Sequence, residues 1–437
     1  MAVEASRRGR VSGDLAWLID LLWGAGVEAG LVRVRTDGTA PEGSVPVERF
    51  AVVPSLARPR FLVPLASRRA AWASTVRYNA LRPARVRAVR AAVGTGMLVG
   101  LGQRALRDRL VVYVAAGVAG EPLEELLISQ HLRRELGVPG LVMGIGVRAR
   151  HPNRKPTLQL FGAGGEALGY VKVGWSRLTR ALVRNEADAL RACQAHPPAG
   201  LEVPRLLVAG RWNDLDLVVT SPLPTGVRRH RQALRPPPVA VSRRIAGMDG
   251  TRTLPLAASP WWSSVREGVR AVAAAGGAGG DGGGGDGGGA GAREIATTLE
   301  GCLRRIEERC GGTRLAFGRW HGDWVPWNLA WLGGRLFAWD WEHSGADAPL
   351  GFDLLHWQFQ VAFVQQRRSA AEAASRCATL AAPDLARLGI EPAAVRELPW
   401  LYLLELYLRA YRMQAAGAGW NPRFHPHMLH VLGASCV

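Results

Sequence analysis

Lysine is almost missing from this chain. Of its 55 lysines and arginines only Lys155 and Lys172 are lysine, and the formal net charge is +19. Cysteine is sparse as well: five in 437 residues, an odd number without paired spacing. That speaks against a disulfide framework and points to a reducing, cytoplasmic setting. No uninterrupted apolar run reaches the roughly 20 residues of a spanning helix. The apolar stretch 15–24 carries Asp20 and lacks a cleavage site, so neither a transmembrane segment nor a signal peptide is expected.

What is present suffices for a folded chain. An apolar content of 48% supports two or three compact units. Residues 276–291 are nearly pure glycine with Ala and two Asp, a composition that cannot build a core and reads as a flexible insertion. Residues 236–260, opening on three prolines, read as irregular. The densest basic clusters are Arg82, Arg85, Arg87 and Arg90, and Arg228, Arg229, His230 and Arg231. Either is a solvated face or a site for anionic partners, phosphorylated metabolites and lipid headgroups among them. The basic residues are otherwise spread out, so no specific nucleic-acid partner is expected.

The chemistry concentrates in one segment. His321-Gly322-Asp323 is followed by Asn328 and then by Asp340-Trp341-Glu342. Residues 315–320 and 329–332 read as strands, Gly333-Gly334 as a two-residue hairpin turn, and 336–339 as the returning strand. A tight hairpin brings Asp340 back beside the loop. Two carboxylates and an amide so placed suit phosphoryl transfer to an alcohol. One carboxylate meets the attacking hydroxyl, while the amide oxygen and the second carboxylate hold Mg²⁺ on the nucleotide phosphates.

This pattern resembles the aminoglycoside phosphotransferase and choline-kinase-like family, small-molecule relatives of the protein kinases. The resemblance rests on 321–323, Asn328, Asp340-Trp341-Glu342 and the later Pro349–Leu354 run, and extends over roughly 136–437. It implies Asp323 as the catalytic carboxylate, Asn328 and Asp340 as Mg²⁺ ligands, and ATP or GTP as co-substrate. It also implies a small-molecule hydroxyl as acceptor. His321 would brace the loop. Asp353 would anchor the loop backbone or serve as an N-terminal helix residue, and Glu342 would be a supporting group or a solvated strand end. The loop departs from the family at Trp324, Pro326 and Trp327, which would make the mouth bulky and apolar.

Upstream, residues 168–173 read as a strand in which Lys172 would contact the phosphates, a task a planar guanidinium does not share. On the helix over 176–193, Glu186 falls in the apolar stripe of Leu178, Leu182 and Leu190. A carboxylate there demands a buried cation, and Lys172 is the candidate. The turn 151–155 stands where a protein kinase carries its glycine-rich loop, but it holds no Gly-x-Gly-x-x-Gly. Further strands are expected at 141–150, 156–161, 205–209 and 215–220, and a hinge at 221–224.

The expected fold is therefore α+β and bilobal, protein-kinase-like. An N-terminal extension of unknown role (1–135) precedes an N-lobe with a five-stranded antiparallel sheet (136–222) and a mainly helical C-lobe (223–437). Within the extension, 45–54 and 61–65 read as strands, and 66–93 and 121–136 as helices. The function implied is Mg²⁺-dependent transfer of a nucleotide γ-phosphoryl group to a metabolite, sugar or amino alcohol. The alternative is a nucleotide-binding pseudokinase acting as regulator or scaffold.

Overall fold

Edge pairing decides the architecture of the first half of the chain. The computed structural model describes residues 11–77, 83–102, 106–231, 237–278 and 288–435. They fall into two units, residues 1–187 with 204–228, and 188–203 with 229–437. The first unit carries α1 (Gly13–Glu28), β1 (Val32–Arg35), β2 (Ser44–Val53), β3 (Phe61–Pro64), α2 (Arg68–Val76) and α3 (Ala84–Leu98). β4 (Arg109–Ala115), α4 (Glu121–Leu126), α5 (Ile128–Leu136), β5 (Val142–Gly146), β6 (Thr157–Phe161) and β7 (Ala167–Gly174) follow. Then come α6 (Arg177–Ala195), which runs past the unit boundary, β8 (Leu206–Trp212) and β9 (Leu215–Thr220).

These nine strands form one sheet in the order β1-β4-β2-β3-β5-β6-β7-β9-β8, antiparallel at every junction. The five strands read from the sequence are its second half, so the expectation of a five-stranded sheet is corrected to nine. Phe61 and Leu62 of β3 pair with Gly146 and Ile145 of β5. Strands from the first 135 residues thereby cover an edge that would otherwise present unpaired N–H and C=O groups. The single helix expected over 66–93 is also corrected, to α2 and α3. Pro83, which has no N–H to give a helix, precedes α3 with extended backbone.

Side-chain alternation sets what each sheet face meets. Val171 and Val173 of β7 pack with Leu158, Leu160, Leu217 and Val219, and the same cluster takes in Leu15, Leu18 and Leu22 of α1. Val218 points the other way, into a cluster with Val183 and Ala187 of α6. Lys172 stands opposite Val218 in register and so shares the face that α6 covers.

The second unit is mainly helical. It contains α7 (Val239–Ala246), β10 (Arg252–Pro255), α8 (Pro260–Ala278), α9 (Gly288–Cys310), β11 (Arg314–Trp320), β12 (Leu329–Leu332), β13 (Arg335–Ala338) and β14 (Gly345–Pro349). After these come α10 (Phe352–Gln360), α11 (Ala370–Arg387), α12 (Pro392–Met413) and α13 (His425–Ser435). β11 lies between β10 and β14, antiparallel to both, and β12 and β13 form a hairpin. The passage 236–260, expected to be irregular, contains α7 and β10. Val241 and Ile245, one helical turn apart, are buried there, and that apolar pair outweighs the neighbouring prolines. Most of the glycine-rich passage lies outside the described residues. Leu299, Cys302, Ile306 and Cys310 of α9 join Phe352, Leu401 and Tyr402 in the main core. The α+β class read from the sequence is the one observed.

Candidate active site

β11 leads directly into His321-Gly322-Asp323, and the β12–β13 hairpin returns the chain to the same place. Leu329 stands opposite Ala338 and the Trp339 N–H donates to the Asn328 carbonyl. Asn328 and Asp340 therefore flank the open end of one hairpin, whose turn, Gly333-Gly334, takes φ of 56° and 82°. Asp340 itself has φ 72°, a left-handed conformation that costs a non-glycine residue on the order of 1–3 kcal/mol. Gly322 is obligatory for a different reason. At φ 78° an added Cβ would lie 2.0 Å from the His343 carbonyl oxygen.

Buried polar groups fix the loop backbone. Asp353, in the first turn of α10 and 4% exposed, accepts from the His321 N–H at 2.8 Å and the Gly322 N–H at 3.0 Å. These contacts are those of a backbone anchor, and Asp353 is at the same time the acidic residue of the first turn of α10. Burial pushes its carboxyl up to about 7 against the pull of those two N–H groups. Arg409 of α12 donates to the Gly322 carbonyl at 2.7 Å and lies over the Trp320 ring. His321 is fully buried. Its Nδ1 accepts from the Asp323 N–H and its Nε2 donates to the Trp339 carbonyl, which fixes the neutral Nε2–H tautomer. Burial depresses its pKa to about 4.

Both oxygens of Asp323 are held. Nδ2 of Asn328 donates to Oδ2 at 2.8 Å, and His356 Nε2 meets Oδ1 at 3.0 Å. The Tyr402 hydroxyl meets His356 Nδ1 at 3.0 Å. Burial keeps the Tyr402 phenol protonated and His356 neutral, so the chain of donors runs Tyr402 O–H to Nδ1 and Nε2–H to Oδ1. Burial works to raise the pKa of Asp323. The hydrogen bond from His356 outweighs it and holds the carboxyl below the usual range. The Asp323 side chain remains 30% exposed, so a held carboxylate still faces solvent.

His356, Tyr402 and Arg409 were not singled out from the sequence. The available signal was periodicity. His356 lies three residues after Asp353 on α10, and Tyr402 and Arg409 are seven apart on α12, which places each pair on one helix face. The bulky mouth expected from Trp324 is corrected: its side chain is fully buried behind the loop, 5.5 Å between ring centres from His321. Pro326 is buried too, and only Trp327 is half-buried. Glu342 is nearly buried, its side chain 15% exposed, unlike a solvated strand end.

Asn328 and Asp340 offer oxygen donors of the kind Mg²⁺ takes. Because Asn328 spends both of its observed hydrogen bonds through Nδ2, on the Asp323 carboxylate and carbonyl, its Oδ1 is the atom left for a cation. The donor set fits.

In the first unit Lys172 and Glu186 form an ion pair. Nζ lies 2.7 Å from Oε1 and 2.6 Å from Oε2, and Glu186 is 3% exposed. The turn 151–155 is tied to residues following β7. The Trp175 indole donates to the Arg154 carbonyl at 2.8 Å, and the Ser176 hydroxyl to that of Pro152.

Several solved structures are similar to this chain. One is a thermostable mutant of aminoglycoside phosphotransferase APH(4)-Ia in a ternary complex with ADP and hygromycin B (13% identity, 71% of this chain and 96% of that one, TM-score 0.43). Another is ADP-bound aminoglycoside phosphotransferase APH(2'')-Ib (10%, 71% and 95%, TM-score 0.37). A third is a glucosamine kinase (16%, 74% and 83%, TM-score 0.34). No family model and no curated protein sequence matches the chain. At such identities and TM-scores, chemistry has to be read from the side chains.

Proposed function

We propose that this chain is a small-molecule kinase of the aminoglycoside phosphotransferase and choline-kinase-like group, moving a nucleotide γ-phosphoryl group to an acceptor hydroxyl. The observation that carries this reading is the Asp323 carboxylate, gripped by Asn328 and His356 on a backbone anchored by Asp353. Asp323 accepts a hydrogen bond from the acceptor O–H and aims the oxygen at the γ-phosphorus. As the new P–O bond forms, the bond to the leaving nucleoside diphosphate breaks and the hydroxyl proton passes to Asp323. A carboxyl of low pKa is a weak base, so the proton moves late, when the oxygen has become acidic through bonding to phosphorus.

Asn328 and Asp340 would hold Mg²⁺, which when bound neutralises charge on the phosphates. Lys172, oriented by Glu186, would contact the phosphates as a compact charge. The acceptor would be a neutral or weakly charged hydroxylated metabolite, with ATP or GTP as donor.

A thermal-shift titration of ATP and GTP, each with and without Mg²⁺, tests the reading on wild type and Asp340→Ala. A Mg²⁺-dependent rise in melting temperature that the variant loses supports it. The absence of any shift with either nucleotide refutes it.

A further inference from the structure

The turn over residues 151–155 is gripped from outside by the first helix of the chain. Val171 and Val173 of β7 face the cluster that holds α1, and both Trp175 and Trp17 of α1 pack against it. The two indoles meet edge to face, 5.2 Å between ring centres. Asp14 lies one helical turn before Trp17, on the same side of α1. Its Oδ1 accepts from the N–H of Arg150, the residue before the turn, at 3.0 Å. Trp175 holds the other end, its indole donating to the Arg154 carbonyl at 2.8 Å, and the Arg150 guanidinium lies over the same ring. Trp175 is itself fixed. The buried Thr179 hydroxyl oxygen accepts from the N–H groups of Trp175 and Ser176 at 2.9 and 2.8 Å, which ties them to the first turn of α6, the helix that carries Glu186. Thr157, two residues past the turn, stands opposite Lys172. The turn therefore adjoins the lysine, and α1 reaches it from the face of the sheet that Lys172 does not share.

We propose that α1 completes the nucleotide site from behind. Asp14 and Trp17, acting with Trp175, are positioning residues that hold the 151–155 turn in place over the nucleotide phosphates. This rests on the kinase reading given above and assigns a task to the N-terminal region. The physical effect is preorganisation. A loop that must be ordered by its ligand takes the cost of ordering out of the binding free energy, and a turn ordered by contacts already made in the free protein does not. His151-Pro152-Asn153-Arg154-Lys155 contains no glycine, and it is tied at both ends by side chains that need not touch the nucleotide. Because these contacts act through the turn, they should matter for a nucleoside triphosphate and not for the monophosphate.

The test measures, on the full chain, calorimetric binding of Mg²⁺-ATP or Mg²⁺-GTP, and of AMP or GMP by displacement of the bound triphosphate. Asp14→Ala should weaken triphosphate binding by about 3- to 10-fold, the range given by the net contribution of one hydrogen bond. Asp14→Ala/Trp17→Leu should weaken it further, and monophosphate affinity should stay that of wild type in both. Asp14→Asn keeps an oxygen for the Arg150 N–H and removes only the charge near the helix N-terminus, so it should restore most of the triphosphate affinity. Trp175→Phe keeps the ring without the donor and should repeat the selective loss. Asp14 and Trp17 are only half-buried, and matched melting curves would establish that their variants fold. An equal loss for triphosphate and monophosphate overturns the proposal, since it would mean general damage to the first unit. Wild-type triphosphate affinity in the double variant also overturns it. If Asp340→Ala then still loses Mg²⁺-dependent binding, the kinase reading stands and the brace alone falls. Failure of wild type to bind either triphosphate removes both.

Discussion

His356 Nε2 lies 3.0 Å from Asp323 Oδ1, and this contact decides how the carboxylate is presented. The imidazole can donate there only while its other nitrogen accepts, and the Tyr402 hydroxyl supplies that second contact. Without Tyr402 the ring could adopt the opposite tautomer and turn a lone pair toward the carboxylate. His356→Ala is therefore expected to lower kcat by about 10- to 100-fold, which corresponds to roughly 1.4–2.8 kcal/mol. The KM for nucleotide should change little. Tyr402→Phe should give a smaller loss, and His356→Gln, which keeps an N–H donor, should recover part of the activity. Steady-state kinetics, with nucleotide hydrolysis as the readout where no acceptor is at hand, separates the two parameters.

Asp353 accepts from two backbone N–H groups of the loop. Asp353→Ala leaves the His321 and Gly322 N–H groups buried without an acceptor, at about 1–3 kcal/mol each. The expected loss of roughly 2–6 kcal/mol would appear as a lower urea midpoint at unchanged m-value. Asp353→Asn offers a single acceptor oxygen and should fall between that variant and wild type.

The Lys172–Glu186 pair makes a prediction about sign. Removing one partner leaves a charge inside the first unit, so Glu186→Leu or Lys172→Met alone should destabilise by up to about 3–5 kcal/mol. Lys172 is 21% exposed at the side chain, and solvent reduces its share. The double variant should be less damaged than the sum of the two, since no isolated charge remains. Nucleotide affinity should behave differently. Lys172→Met should weaken it at least tenfold whether or not Glu186 is changed. Chemical denaturation and nucleotide titration on the four proteins check both statements.

What the sequence made legible was local. The 321–342 segment could be read because its spacing is that of one loop and one hairpin, and the observed pairing of Leu329 with Ala338 follows from Gly333-Gly334. Lys172 and Glu186 were legible because a strand of period two and a helix of period 3.6 each aim one side chain at the other. The hydrogen bonds to His356, Tyr402 and Arg409 were not, since they close over 33, 46 and 87 residues and depend on how α10 and α12 pack. The pairing of β3 with β5 escaped for the same reason. Burial of Trp324 inverted an expectation, because a bulky residue beside a loop can turn inward as easily as outward.

His321 and Asp353 should respond to pH in opposite directions. His321 titrates at about 4 in the folded chain against an ordinary 6.5. Between those values the unfolded chain binds a proton that the folded one refuses, so its contribution is complete above 6.5 and is lost as pH falls through 4. That amounts to on the order of 3 kcal/mol. Asp353, raised from an ordinary 3.8 to about 7, contributes fully below 3.8 and loses its share as pH rises through 7. In wild type the two slopes oppose each other across most of this window. The variants separate them. Melting curves from pH 7.5 to 4 (about one point per half unit, a spacing set by the width of a single titration) should show the wild-type advantage over His321→Asn shrinking as pH falls. The advantage over Asp353→Asn should grow over the same range. If both differences moved together, the protonation states assigned to these two groups would be wrong.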